Sequence, residues 1–147
     1  MKDSRVGAYG AIGVALALAL RLGALAALPP ATAVRALVAA HVLARWSSLP
    51  LIWRLAYVRE TPGTGTLFIA SVTPARLGAG TAIAVLLAGG ALGARAVPAL
   101  AVAAIVVLVA GRYFQRRIGG ITGDCLGAVN QIVELATYLV LAFRPVG

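Results

Sequence analysis

Residues Arg112–Phe143 read RYFQRRIGGITGDCLGAVNQIVELATYLVLAF. A basic, aromatic segment gives way to GGITGD at Gly119–Asp124. An apolar run follows, roughly Ile121 to Phe143, long enough to cross a bilayer of about 30 Å as a helix. Asp124 stands at the mouth of that run, where an ionised carboxylate is costly. On a helix, Asp124, Gly127, Asn130, Gln131 and Glu134 fall within about 120° of arc. The opposite face carries Leu126, Val129, Ile132, Val133 and Ala136. A membrane helix with one polar stripe is a candidate for a functional surface. The same stripe also suits plain interhelical hydrogen bonding. Glu134, about two turns deep, needs a partner or a proton in either case.

Composition extends this reading to the whole chain. Of 147 residues, 61% are hydrophobic and 12% charged, and mean hydropathy is +0.97. A soluble domain carries roughly 25% charged residues, so too few charges are present to cover a soluble surface. The expected fold is all-α, a polytopic membrane helix bundle of about five transmembrane helices. The other four runs are roughly Val6–Leu28, Ala33–Trp53, Leu77–Leu92 and Val97–Phe114. Lys2 and Arg5 ahead of an apolar stretch, with Ala31-Thr32-Ala33 after it, imitate a signal peptide. Arg21 inside the stretch and the length of the run argue against one.

The net charge of +9 falls between the apolar runs rather than on one patch, which argues against nucleic acid and for loop charges that orient membrane spans. With the N-terminus inside and five crossings, Lys2, Arg5, Arg54, Arg59, Arg76, Arg112, Arg116 and Arg117 lie inside. Arg35, Arg95 and Arg144 lie outside. Eight of the 13 basic residues against three is a positive-inside bias. Asp3, Glu60 and Asp124 then share the cytoplasmic face with those cations, an arrangement that suits an anionic substrate and a divalent metal.

Arg21 and Arg45 remain within spans. Arg45 is expected to face a buried anion or a carboxylate, with Glu134 the favoured partner. His41, a turn away, reads as a packing residue, and Cys125 as a small residue in a packed helix. No His/Cys spacing suggests zinc, and one histidine supports no triad. Gly119, Gly123 and Gly127 form overlapping GxxxG patterns that favour close helix approach. Glycines before a helix N-terminus also let N–H groups face an anion. Thr122 adds a hydroxyl, and Asp124 a hard oxygen for Mg²⁺. GGITGD is no Walker loop, because it lacks the lysine. The segment Tyr57–Gly65 reads as a substrate loop or a plain connector.

Three segments resemble a known family. MKDSRVGAYG at Met1–Gly10, YVRETPGTGTLFI at Tyr57–Ile69 and RRIGGITGDCLGAVNQIVE at Arg116–Glu134 are similar to cobalamin-5′-phosphate synthase, also called adenosylcobinamide-GDP ribazoletransferase. The resemblance runs over essentially the whole chain, and the last motif is specific. It implies a Mg²⁺-dependent enzyme of the bacterial inner membrane, with its active-site face cytoplasmic. Such an enzyme joins adenosylcobinamide-GDP to α-ribazole or its 5′-phosphate and releases GMP. Carried onto this sequence, the motifs cover Asp3, Ser4, Arg5, Gly7 and Gly10, then Arg59, Gly63 and Gly65, then Gly119, Gly120, Thr122, Gly123, Asp124, Gly127 and Glu134. The expected catalytic residues are Asp124, Arg5 and Glu134. Gly119, Gly120, Thr122, Gly123, Arg45 and Arg59 are expected to bind substrate phosphate, and Asp124 with Asp3 to hold metal.

Ahead of the segment matching Met1–Gly10, family members carry further spans and an acidic motif of the form DGLADxxDG. That motif is similar to the metal-binding aspartates of CDP-alcohol phosphotransferases, and it does not occur in these residues. The resemblance therefore implies that residues 1–147, one integral membrane domain, correspond to a C-terminal portion of a family member and are inactive alone. Two other readings compete: a CDP-alcohol phosphotransferase-like lipid enzyme, and a non-catalytic membrane subunit or small transporter with Arg45 and Glu134 as its polar pathway.

The charge bias generates a topology prediction. In intact cells, a cysteine engineered beside Arg117 should resist an impermeant thiol reagent, and one at Gly147 should react. Labelling beside Arg117 would overturn the orientation.

Overall fold

The computed structural model describes residues 7–58 and 72–143. Five long helices follow one another: α1 Ala8–Ala26, α2 Pro30–Arg54, α3 Pro74–Leu92, α4 Ala96–Ile118 and α5 Gly123–Ala142. At 1.5 Å per residue each is long enough for a bilayer core of about 30 Å. The stretch Pro74–Ile118 is nearly continuous helix, 45 residues with mean hydropathy 2.3. It is broken only by a 3-10 turn at Gly93–Arg95. Gly93 sits at φ +58°, a conformation that other residues reach only with strain, and there the chain folds back. The expected bundle of about five spans is therefore observed, with two of the crossings drawn from this one stretch.

Local chemistry sets the helix ends. Pro30 and Pro74 each occupy a first-turn position, where the missing N–H costs nothing and φ is already helical. Thr73 caps α3, its hydroxyl accepting from the Arg76 N–H at 3.2 Å. For this reason α3 begins a turn before the expected Leu77. α4 runs past the expected Phe114 because Gln115, Arg116 and Arg117 are good helix formers. It ends at Gly119, which takes a left-handed φ of +73° and whose N–H donates to the Gln115 carbonyl at 3.2 Å.

Contacts along the helices define their directions. Trp46 Nε1 donates to Thr81 Oγ1 at 3.0 Å, Leu49 meets Gly80, and Leu51 and Arg54 share a cavity with Leu77, so α2 and α3 are antiparallel neighbours. Leu77 near the start of α3 and Arg116 near the end of α4 line one cavity, so α3 and α4 are antiparallel too. Arg21 reaches Gln131, while Ala24 and Leu28 pack with Tyr138 and Leu141, so α1 runs parallel to α5. One end of the bundle thus gathers Arg54, Arg76, Arg112, Arg116 and Arg117, and the other Arg35 and Arg95. This is the grouping expected from alternating crossings.

Packing is close because the buried faces are small. Ala36, Ala39, Ala40, Ala88, Ala99 and Ala103 are fully buried. In lipid, exclusion from water contributes nothing between helices, so close van der Waals contact over small residues becomes the main attraction. Helices α2 and α5 supply residues to both buried clusters. By contrast, α1 buries only Ala24 and shows Ile12, Leu16, Leu20 and Leu22 outward, as a lipid-facing helix does.

A backbone clasp closes the basic end. The N–H of Ile121 donates to the Ala56 carbonyl at 2.8 Å, and the N–H of Val58 to the Ile121 carbonyl at 3.0 Å. This isolated parallel bridge ties the exit of α2 to the turn between α4 and α5. Gly120 is buried against it, and a Cβ there would overlap the Ala56 carbonyl and the Val58 side chain. Gly123, by contrast, has open space where its Cβ would be.

Gly120→Ala should therefore destabilise the detergent-solubilised protein by about 1–3 kcal/mol, through loss of bridging hydrogen bonds and local strain. Gly123→Ala should be neutral or stabilising, by up to about 1 kcal/mol. Thermal unfolding followed by circular dichroism compares the two, and an equal loss in both variants would dismiss the clasp.

Candidate functional site

The polar stripe of α5 begins at its N-cap. Thr122 Oγ1 accepts from the Cys125 N–H at 3.3 Å, and the Thr122 hydroxyl lies 3.2 Å from Cys125 Sγ. Cys125 is half-buried and local in its contacts, as a small packing residue is. Asp124 follows in the first turn, exposed, where the helix dipole favours a negative charge. Among the described residues it has no ion-pair or hydrogen-bond partner. Several N–H groups of the turn are already taken: that of Gly119 by Gln115, of Ile121 by Ala56 and of Leu126 by Thr122. Gly120 and Ile121 thus serve the clasp. The N–H groups of Gly123 and Asp124, in the first turn of α5, have no intrahelical acceptor and can face an anion.

Deeper in the bundle, α1, α2 and α5 enclose a polar cavity of about 290 Å³, lined among others by Arg21, His41, Arg45, Asn130, Gln131 and Glu134. Asn130 joins its walls. The amide atom 2.6 Å from the Ala44 carbonyl is nitrogen, since two oxygens so close would repel. So oriented, it also reaches Ser47 and Ser48 Oγ at 3.1 and 2.9 Å. The Ser47 hydroxyl donates to the Ala44 carbonyl at 2.6 Å. Within this knot of α2 with α5, Ser47 is fully buried.

Arg21 reaches in from α1. Its Nη2 donates to Gln131 Oε1 at 2.6 Å and to the Gln131 carbonyl at 3.3 Å, and stands 3.6 Å from Glu134 Oε2. Its Nε is buried without a hydrogen-bond partner among the described residues. The Tyr138 hydroxyl donates to Glu134 Oε1 at 3.0 Å, and His41 Nδ1 lies 3.9 Å from that oxygen. The same Nδ1 is 3.0 Å from the Leu37 carbonyl, which assigns the ring proton to Nδ1.

Two expectations change here. The partner of Glu134 is Arg21 rather than Arg45. Because α2 runs antiparallel to α5, Ser47 and Ser48 meet Asn130 while His41 meets Glu134, so Arg45 lies between these levels. It lines the same cavity yet makes no ion pair among the described residues. His41 is not a packing residue: its side chain is 59% exposed and borders the cavity. The sequence signal for Arg21 was its place inside an apolar run, but nothing in the sequence paired it with a residue 110 positions away.

The structure brings Arg45 and Glu134 to one cavity, and Gly119, Gly120, Thr122, Gly123 and Asp124 to one turn at the basic end. Asp124 and Glu134 are ten residues apart, about 15 Å along α5. Asp3, Arg5 and Arg59 lie outside the described residues. Among the described residues no group of three His, Cys, Asp or Glu could hold a metal. Asp124 alone offers an exposed, unpartnered hard oxygen, which fits a single carboxylate ligand of Mg²⁺ whose other ligands are phosphate oxygens and water.

Comparison with known proteins places this scaffold. Residues 1–142 match the protein-family model for cobalamin-5-phosphate synthase. The adenosylcobinamide-GDP ribazoletransferase of Ralstonia nicotianae is 40% identical over 148 residues, covering 96% of this chain and 55% of that protein. Those of Polaromonas naphthalenivorans and Albidiferax ferrireducens are 37% and 38% identical, covering 97% of this chain and 58% and 59% of theirs. No solved structure matches. The chain thus spans a little over half the length of these curated relatives. A match that takes in α1 through α5, the clasp and the polar stripe shows that the chain belongs to the cobalamin-5-phosphate synthase family.

Proposed function

We propose that this chain forms part of an adenosylcobinamide-GDP ribazoletransferase of the bacterial inner membrane. One observation carries the reading. A polar stripe on α5, from Gly127 through Asn130 and Gln131 to Glu134, joins Arg21 and Arg45 around an open cavity in an otherwise apolar bundle, on a chain whose relatives bear that name. The substrates are adenosylcobinamide-GDP and α-ribazole or its 5′-phosphate. The basic end of the bundle, with the GGITGD turn, is the cytoplasmic face, where nucleotides are present.

In the reaction a ribazole hydroxyl oxygen bonds to the phosphorus on the cobinamide side of the diphosphate. The bond from that phosphorus to the bridging oxygen breaks, GMP leaves with that oxygen, and the hydroxyl proton passes to water. Catalysis of such a transfer is chiefly positioning and charge stabilisation. When bound through Asp124 and the phosphate oxygens, Mg²⁺ would neutralise the charge gathering on the diphosphate. Asp124 and the free N–H groups of Gly123 and Asp124 orient the phosphates at the membrane face. Arg45, without a protein counter-ion among the described residues, offers its guanidinium to a substrate oxygen. Arg21 acts as a positioning residue, holding Gln131 and Glu134 along the cavity wall.

GMP release in proteoliposomes tests this, with the chain grafted in place of the matching segment of the Ralstonia nicotianae relative. Asp124→Asn should lower turnover by about 10² or more, the order seen when an electrostatic catalytic group is lost. Glu134→Gln should cost less, since Arg21, Gln131 and Tyr138 still hold the wall. Near-normal turnover of the Asp124→Asn graft at saturating Mg²⁺ would sink the role of Asp124.

The two intramembrane arginines should separate in kind. Arg21→Leu leaves Glu134 without its cation and should lower stability by about 1–3 kcal/mol. Arg45→Leu should leave unfolding unchanged and raise KM for adenosylcobinamide-GDP about tenfold, as loss of one charged contact does. Equal effects of both on stability would refute the division.

A further inference from the structure

A second cavity, of about 320 Å³, lies at the basic end between α2, α3 and α4 and shares no lining residue with the polar one. Arg54, Arg112 and Arg116 line it together. They come from the last turn of α2 and the last two turns of α4, so they stand where the bundle leaves the hydrocarbon. None of the three has an ion-pair or hydrogen-bond partner among the described residues. Three exposed guanidiniums lining one cavity without a counter-ion among the described residues favour an anion there.

The remaining walls are apolar. Leu51 lies just under a turn inside Arg54 and Val107 more than a turn inside Arg112, while Leu77 lines the cavity from the first turn of α3. Trp53 and Leu108 also line it and are 51% and 53% exposed, so the mouth opens on an exposed apolar flank. Gly111 lets α2 come close: a Cβ there would stand 3.2 Å from Leu51 Cδ2. A free phosphate or a soluble nucleotide would use the cations and waste the apolar wall. A ligand with an anionic phosphate at the interface and a hydrocarbon tail running inward satisfies both.

We propose that this cavity binds an anionic phospholipid, with its phosphate among Arg54, Arg112 and Arg116 and one acyl chain against Leu51, Leu77 and Val107. Basic pockets between transmembrane helices at the cytoplasmic level have this chemistry. The lipid fills the seam between α2 and the α3–α4 hairpin, whose mutual packing is otherwise interrupted by the cavity.

Tryptophan quenching tests the proposal on the whole chain in phosphatidylcholine vesicles. The protein has two tryptophans, and Trp46→Phe leaves Trp53 at the cavity as the reporter. Phosphatidylglycerol with brominated acyl chains should half-quench Trp53 at a mole fraction roughly fivefold or more below that needed with brominated phosphatidylcholine. Arg112→Gln with Arg116→Gln should remove most of that preference. Arg117→Gln should leave it intact, because Arg117 lies over the Tyr113 ring, 6.0 Å from its centroid, outside the cavity. Equal quenching by the two lipids overturns the proposal, and so does an Arg117→Gln loss as large as that of the double variant, which would mean diffuse surface charge. Displacement by millimolar inorganic phosphate would also overturn it, since the site would then take free phosphate. Should the double variant fail to insert, the wild-type lipid comparison and the phosphate competition decide the matter without it.

Discussion

The seam between α2 and α5 is the constraint on which the rest of the bundle depends. In lipid, two apolar helices gain little by hiding from a solvent as apolar as themselves. What joins them must be shape and polar contact. Here both coincide: Ala36, Ala39, Ala40 and Ala44 let the backbones approach, and the Asn130 amide lies within 2.6 Å of the Ala44 carbonyl. A buried amide in that setting also sets register, since sliding either helix by one residue would strand polar groups in hydrocarbon. α1 then docks on this pair through Arg21, and the α3–α4 hairpin through Trp46 and Thr81.

The clasp at Ala56–Val58 and Ile121 adds a constraint of another kind. The GGITGD turn lies where the chain leaves α4 and enters α5, a place where a membrane protein would otherwise have a free loop. Two backbone hydrogen bonds to the exit of α2 fix that turn, and Gly120 is the residue that lets the strands meet. As a result the Thr122 cap, the Asp124 carboxylate and the first N–H groups of α5 project from a braced platform. A group that must orient a phosphate within a few tenths of an ångström gains from such bracing.

The polar cavity and the basic cavity divide the intramembrane and interfacial charges between them. In the first, Glu134 is the one carboxylate among the described residues, facing Arg21 and His41, with Arg45 left over. In the second there are cations alone. Both are regions where apolar packing was given up, and both hold more positive charge than the described residues neutralise. Anionic phosphates, of substrate in the proposed function and of lipid in the further proposal, would balance them.

Much was legible in the sequence because hydropathy is a local property. The apolar runs and the alternation of basic segments located the helices and their alternating directions without reference to any partner. The stripe on α5 was equally readable, because Asp124 through Glu134 share a face by helical geometry alone. The tertiary structure decided what each polar group meets. Glu134 pairs with Arg21 rather than Arg45, because the antiparallel register of α2 and α5 is set by Asn130 against Ser47 and Ser48. His41 lines a cavity because α1 arrives beside it. Gly120 is a glycine for the sake of Ala56, 64 positions away. Each of these depends on which helices touch and at what height. In a bilayer that is settled by close packing and a few polar contacts, which leave no periodic trace in the chain.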